Sequence, residues 1–175
     1  FEFKWGQQEN PLSFKIDQVS PGHFKGTSFV GETQIVREIK YDANQGSFEN
    51  TITVINATED FKNGFKIGIP ETIHNTEGGS FFFPDYEMQD FFVVHDGGKK
   101  ETLNFNKTDS VNEVKTNIAV AAVSSQYFTA AFIDKSELRP DISLVANKST
   151  KTAYAELTYK PLQIKPEMIF KEVYY

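Results

Sequence analysis

Apolar positions along the chain are densest from Ile118 to Ile133, IAVAAVSSQYFTAAFI, where an unbroken apolar run to Val123 pauses at Ser124, Ser125 and Gln126 and resumes at Tyr127. That pattern predicts two buried strands joined by a tight turn. An Ala-rich helix is the rival reading, because Ala121, Ala122, Ala130 and Ala131 favour helix and no Gly or Pro interrupts the run. The β-branched and aromatic content, with small polar residues where a turn would fall, favours strands.

Elsewhere the apolar positions alternate. Thr33 to Tyr41 places Ile35, Ile39 and Tyr41 on one face with Arg37 among them, opposite Glu38 and Lys40. Asp42 to Gly46 then reads as a turn. Phe48, Ile52 and Val54 answer from a second strand, alternating with Glu49, Thr51 and Thr53, so the two form an antiparallel hairpin that Asn56 to Asp60 closes. Phe1 to Trp5 predicts an edge strand, Leu12, Phe14 and Ile16 repeat the alternation, and Ser20-Pro21-Gly22 is a turn before a short strand from His23 to Val30. Phe65, Ile67 and Ile69 form another inward face that stops at Pro70.

Downstream, Glu71 to Gly79 loses periodicity and reads as a long surface loop. Leu103 and Phe105 open a strand before a polar stretch from Asn106 to Asn112, and Asp134 to Asp141 reads as a charged loop. A meander follows: Ile142 to Val145, then Ala153, Ala155, Leu157 and Tyr159, then Met168 to Tyr175. About a dozen strands result, more than an immunoglobulin-like sandwich of about seven to nine holds, so the expected fold is all-β with two large stacked antiparallel sheets.

Composition narrows the function classes. At 175 residues, 1–175 is expected to be a single domain with an ample core, and 17 Phe with 7 Tyr fill it with few side chains. Cys is absent, which removes disulfides, thiol catalysis and Cys-ligated metal sites. A net charge of -6 with scattered Lys and Arg argues against nucleic acid as a partner. No run reaches the roughly 20 apolar residues of a membrane span. The chain opens on Phe1 without an initiator Met, which suggests a domain excised from a longer protein.

Candidate chemistry is sparse. His23, His74 and His95 each fall in or beside a turn and lack the spacing of a metal pair, so surface histidines are favoured over ligands or general bases. His74 with Glu77 or Asp85 could imitate the histidine and carboxylate of a sugar-cleft enzyme, but 24 acidic residues make such a neighbour cheap. The sharper feature is aromatic. Phe81, Phe82, Phe83, Tyr86, Phe91 and Phe92 crowd together and read as a cleft wall or partner surface; a buried cluster under the long loop is the favoured alternative. Asp85, Glu87 and Asp90 lack the glycine turn of a calcium loop, so a solvated acidic rim is expected and no metal or cofactor. Asn56, Asn106 and Asn147 begin glycosylation-like triplets that an Asn- and Thr-rich chain produces by chance.

Three segments carry a family resemblance. AAVSSQYFTAAFI, with Gln126, Tyr127 and Phe128 at its centre, IVREIKYDANQGSFENTITVINATED, and the closing LQIKPEMIFKEVYY resemble the large periplasmic domain of the YidC-type membrane protein insertases of Gram-negative bacteria. Val120 and Asp134 depart from the family, which commonly has Trp and Pro there, and the match before Thr33 is weak. The resemblance implies a β-supersandwich of the galactose mutarotase type with an elongated cleft, without catalytic residues of its own. It further implies a place on the periplasmic side of the inner membrane, tethered by helices outside this segment. Sec translocon accessory subunits and nascent membrane proteins are the implied partners. A carbohydrate-binding or mutarotase-like exported sandwich is the alternative on the same fold.

Overall fold

A computed structural model of the chain describes residues 2–72, 89–104, 110–124, 129–136, 138–147, 149–161 and 164–174. These residues form β1 (Glu2–Trp5), β2 (Lys15–Ser20), β3 (His23–Val30), β4 (Thr33–Asp42), β5 (Ser47–Ile55), β6 (Phe65–Thr72) and β7 (Asp90–His95). Then come β8 (Lys100–Asn104), β9 (Ser110–Lys115), β10 (Ile118–Ser124), β11 (Thr129–Asp134), β12 (Asp141–Asn147), β13 (Thr152–Tyr159) and β14 (Glu167–Tyr174). One 3-10 helix, Glu59–Asn63, leads into β6.

The strands make two antiparallel sheets. The smaller runs β1-β6-β13-β12-β9 and the larger β2-β3-β4-β5-β14-β11-β10-β7-β8. Their inner faces stack, and alternation along each strand supplies the core. Phe65 is its hub: its ring stands 5.1 Å from Phe3, 4.9 Å from Tyr159 and 4.8 Å from Phe170, so one side chain joins three strands of the smaller sheet to β14 of the larger. Trp5 stacks on Phe61 of the 3-10 helix at 4.9 Å, which closes that end.

The Ile118 to Ile133 region is a strand pair. Val120 faces Ile133 and Ser124 faces Thr129, with β7 on the other side of β10. Residues 125–128, including Gln126, Tyr127 and Phe128, lie outside the described residues. The β4–β5 hairpin forms as the alternation predicts, with Tyr41 opposite Phe48. Its turn is set by Asp42, whose carboxylate accepts the backbone N–H of Asn44 and of Gln45.

The structure corrects three expectations. β6 does not stop at Pro70 but runs to Thr72, with Pro70 opposite Tyr154; among the described residues β1 pairs with β6 only as far as Gly68, so Pro70 falls where that side of the strand is an open edge. Ser110–Lys115, overlapping the stretch read as polar connection, is β9; at the rim of the smaller sheet it sends only Val111 fully into the core, so its strand character is weak in sequence. Tyr41 and Phe48 share the inner face with Ile35, Ile52 and Val54, yet they are 49% and 46% exposed while those three are fully buried. The physical reason is width: the larger sheet extends past the smaller one and leaves part of its inner face uncovered.

Candidate functional site

A polar row crosses the inner face of the larger sheet. Cross-strand register places Asn50 of β5 opposite Glu172 of β14, and Glu172 opposite Asp134 of β11. Arg37 of β4 and Tyr174 of β14 complete the group from the flanking inward positions. Arg37 Nε donates to Asn50 Oδ1 at 2.8 Å, and Asn50 Nδ2 donates to Glu172 Oε2 at 3.0 Å and to the Tyr174 hydroxyl at 2.8 Å. Tyr174 in turn donates to the same Glu172 oxygen through a short bond. Glu172 Oε1 has no hydrogen-bond partner among the described residues.

Electrostatics follows from depth. Burial pushes the Glu172 carboxyl above its ordinary range, against the hydrogen bonds and the Arg37 charge that favour the ionised form. Burial likewise drives the Tyr174 and Tyr159 phenols well up, so both remain donors at neutral pH. Asp134 is satisfied differently: it accepts from Tyr159 Oη at 3.1 Å, from the Ser136 hydroxyl at 2.6 Å and from Arg139 Nη1 at 2.8 Å. Ser136 and Arg139 of the loop after β11, with Tyr159, thus surround one carboxylate with donors, while burial raises the pKa of its neighbour across the strands.

Two depressions adjoin this row. On the outer face, a groove of about 240 Å³ is lined by Glu38, Lys40, Glu49, Lys135 and Lys171, among others. Its charges alternate in sign, and Glu38 already meets Lys25 at 3.8 Å and His23 at 3.7 Å, so the groove suits polar, overall neutral surfaces. On the uncovered inner face, a smaller pocket of about 90 Å³ is walled by Phe14, Ile16, Phe24 and Ile39, with Gly26 and Arg37 at its base.

Of the aromatic group singled out in the sequence, Phe81, Phe82, Phe83 and Tyr86 lie outside the described residues, as do His74, Glu77 and Asp85. Phe91 is 1% exposed, turned inward opposite Val123 and Leu103, and is a core residue rather than a cleft wall. Phe92 points to the opposite face, so the two adjacent rings belong to different surfaces.

His95 and Asp96 also part company: the His95 ring meets Thr116 O at 2.9 Å and Glu101 Oε1 at 3.2 Å, whereas Asp96 accepts from Arg139 Nε at 2.7 Å. Glu101 is bound by Lys115 at 2.8 Å and Lys99 at 2.6 Å. Those ammonium groups pull its pKa down to about 2, too weak a base to abstract a proton near neutrality. Sequence reasoning noticed Arg37 in the inward phase and passed over Asn50, Glu172 and Tyr174. Their signal is the same: polar residues at positions where alternation demands apolar ones.

The stacked large sheets define an all-β sandwich of the galactose mutarotase type. A solved structure of a candidate aldose 1-epimerase from Escherichia coli K12 superposes with a TM-score of 0.58 at 8% identity, covering 93% of this chain and 67% of that one. At that identity the likeness is one of fold. No family profile matches the chain, and no curated protein does. Among the described residues no helix is long and apolar enough to cross a membrane.

Proposed function

We propose that this chain is a non-catalytic periplasmic domain of a bacterial membrane protein insertase, a binding module that meets partner proteins beside the membrane. One observation carries the reading. The three segments that resemble the insertase domain lie far apart in sequence, yet they supply β4 and β5, β10 and β11, and β14, which are five consecutive strands of the larger sheet. Chance resemblance among short strand motifs gives no reason for such contiguity. The outer groove, lined from β4, β5 and β14, sits on this block. The test removes residues 1–175 from the full-length protein while keeping the connection to its membrane helices. Insertion of a model substrate should persist and capture of Sec accessory subunits should fall; abolished insertion by a stable truncated protein would contradict the non-catalytic part.

The likeness to a candidate epimerase favours a second reading, a sugar-binding or mutarotase-like sandwich. The described histidine and carboxylate pairs give it little acid–base capacity, because Glu101 is held by two lysines and Glu38 faces Lys25 and Lys40 as well as His23. Calorimetry against simple sugars and periplasmic glycans, with polarimetry of aldose anomerisation, separates the readings. Heat or accelerated anomerisation would favour the second.

A further inference from the structure

The uncovered end of the larger sheet's inner face belongs to β2, β3 and β4, and the small pocket there combines apolar walls with one cation. Ile16 is 67% and Phe24 41% exposed, an unusual loss of apolar surface to water for inward-phase strand residues. Phe14 closes one side, held edge-on to Phe3 at 5.5 Å, and Ser28 Oγ donates to Ser13 O at 2.7 Å beside it. Gly26 gives that ring its place: a Cβ at Gly26 would stand 3.1 Å from Phe14 Cβ, so Phe14 would have to give way.

Arg37 is the charged member of the lining. Its Nε is committed to Asn50 and one terminal nitrogen lies 3.5 Å from the Tyr174 hydroxyl, while Nη1 has no hydrogen-bond partner among the described residues. Guanidinium carries five N–H donors in a rigid fork, so donors remain for a ligand, already oriented by the buried row. The acid behind that row is Glu172, reached through Asn50; burial raises its pKa and the Arg37 charge opposes that shift.

We propose that this pocket binds the carboxylate of an aliphatic chain, the Arg37 guanidinium taking the head group and Phe14, Ile16, Phe24 and Ile39 taking the methylenes next to it. A carboxylate matches the fork of the guanidinium by two parallel hydrogen bonds. The walls decide the tail: their side chains carry no polar atom besides the guanidinium, so a peptide laid there would leave N–H and C=O groups unpaired, whereas an acyl chain brings none. Room for a longer chain lies beyond Ile39, where the exposed Tyr41 and Phe48 rings stand 5.2 Å apart on the same face. The site is independent of the insertase reading, since it needs only this pocket.

Titration calorimetry with decanoate below its micelle concentration, compared with decanol, tests the proposal. Decanoate should bind about tenfold or more tightly than decanol, as expected for charge-assisted bonds, and Arg37→Gln should remove that difference. Because Arg37 also touches the buried row, Ile16→Glu on the exposed rim is the second variant. It should weaken decanoate about tenfold at an unchanged melting temperature, by like-charge repulsion. Absence of decanoate heat, equal binding of decanol, or unchanged affinity in both variants would overturn the proposal. A hexapeptide ending in Leu-Leu-Phe with a free carboxylate that outcompetes decanoate would also overturn it, by assigning the pocket to polypeptide ends.

Discussion

Glu172 shows how one residue links sequence phase to pH behaviour. It occupies an inward position between Phe170 and Tyr174, and its folded pKa is raised by burial. For a group raised in the folded state, the stabilisation is full below the unfolded value, about 4.3 for Glu, and is lost as pH rises through the folded value. Glu172→Gln keeps an acceptor for Asn50 and Tyr174 and removes the titration. Its melting temperature should therefore match or exceed the parent's at pH 7 to 8, with the advantage shrinking toward pH 4. A deficit that grows with pH would show that the ionised form is the stabilising one. Gly64 makes a second residue-scale prediction. Its φ of 65° with ψ of -143° is a glycine conformation, and a Cβ would stand 1.6 Å from Tyr159 O, so Gly64→Ala should cost at least about 2 kcal/mol in urea unfolding.

At the scale of elements, two contacts between the sheets are separable by experiment. Phe65 of β6 ties the smaller sheet to β14, and Phe65→Ala should lower unfolding free energy by about 3 to 5 kcal/mol, the range for removing a buried ring. Lys115 of β9 reaches across to Glu101 of β8, and that bond is the largest cause of the lowered Glu101 pKa. A lowered carboxylate stabilises above its unfolded value and loses that contribution as pH falls toward about 2. Acid unfolding followed between pH 4.5 and 2 should therefore be less steep in Glu101→Gln than in the parent; identical slopes would show that the network carries no linkage.

Strand alternation made most elements legible, including the β4–β5 hairpin, and an unbroken apolar run with a polar pause marked the β10–β11 pair. Alternation failed at β9, where a rim strand with one core residue offers no contrast between faces. It also gave the correct phase to Tyr41 and Phe48 without telling that they are exposed, because relative sheet width is a tertiary property that no period encodes. The buried row was half legible: Arg37 stood out as a charge in the inward phase, but that Asn50, Glu172 and Tyr174 satisfy one another depends on registers between strands more than 100 residues apart.

For the whole molecule, the larger sheet divides into a covered part, where aromatic packing supplies stability, and an overhanging part, where apolar side chains and Arg37 meet solvent. Among the described residues, the histidine and carboxylate pairs at His23 and His95 are engaged with lysines in ion pairs that join strands. The proposed insertase setting has a direct test. The coding sequence on both sides of this segment should be read from the gene. The account predicts one apolar span before Phe1 and several after Tyr175, which would place the insertion chemistry in the membrane helices that follow. A stop codon soon after Tyr175 would contradict it and leave an exported sandwich, for which sugar binding becomes the leading function.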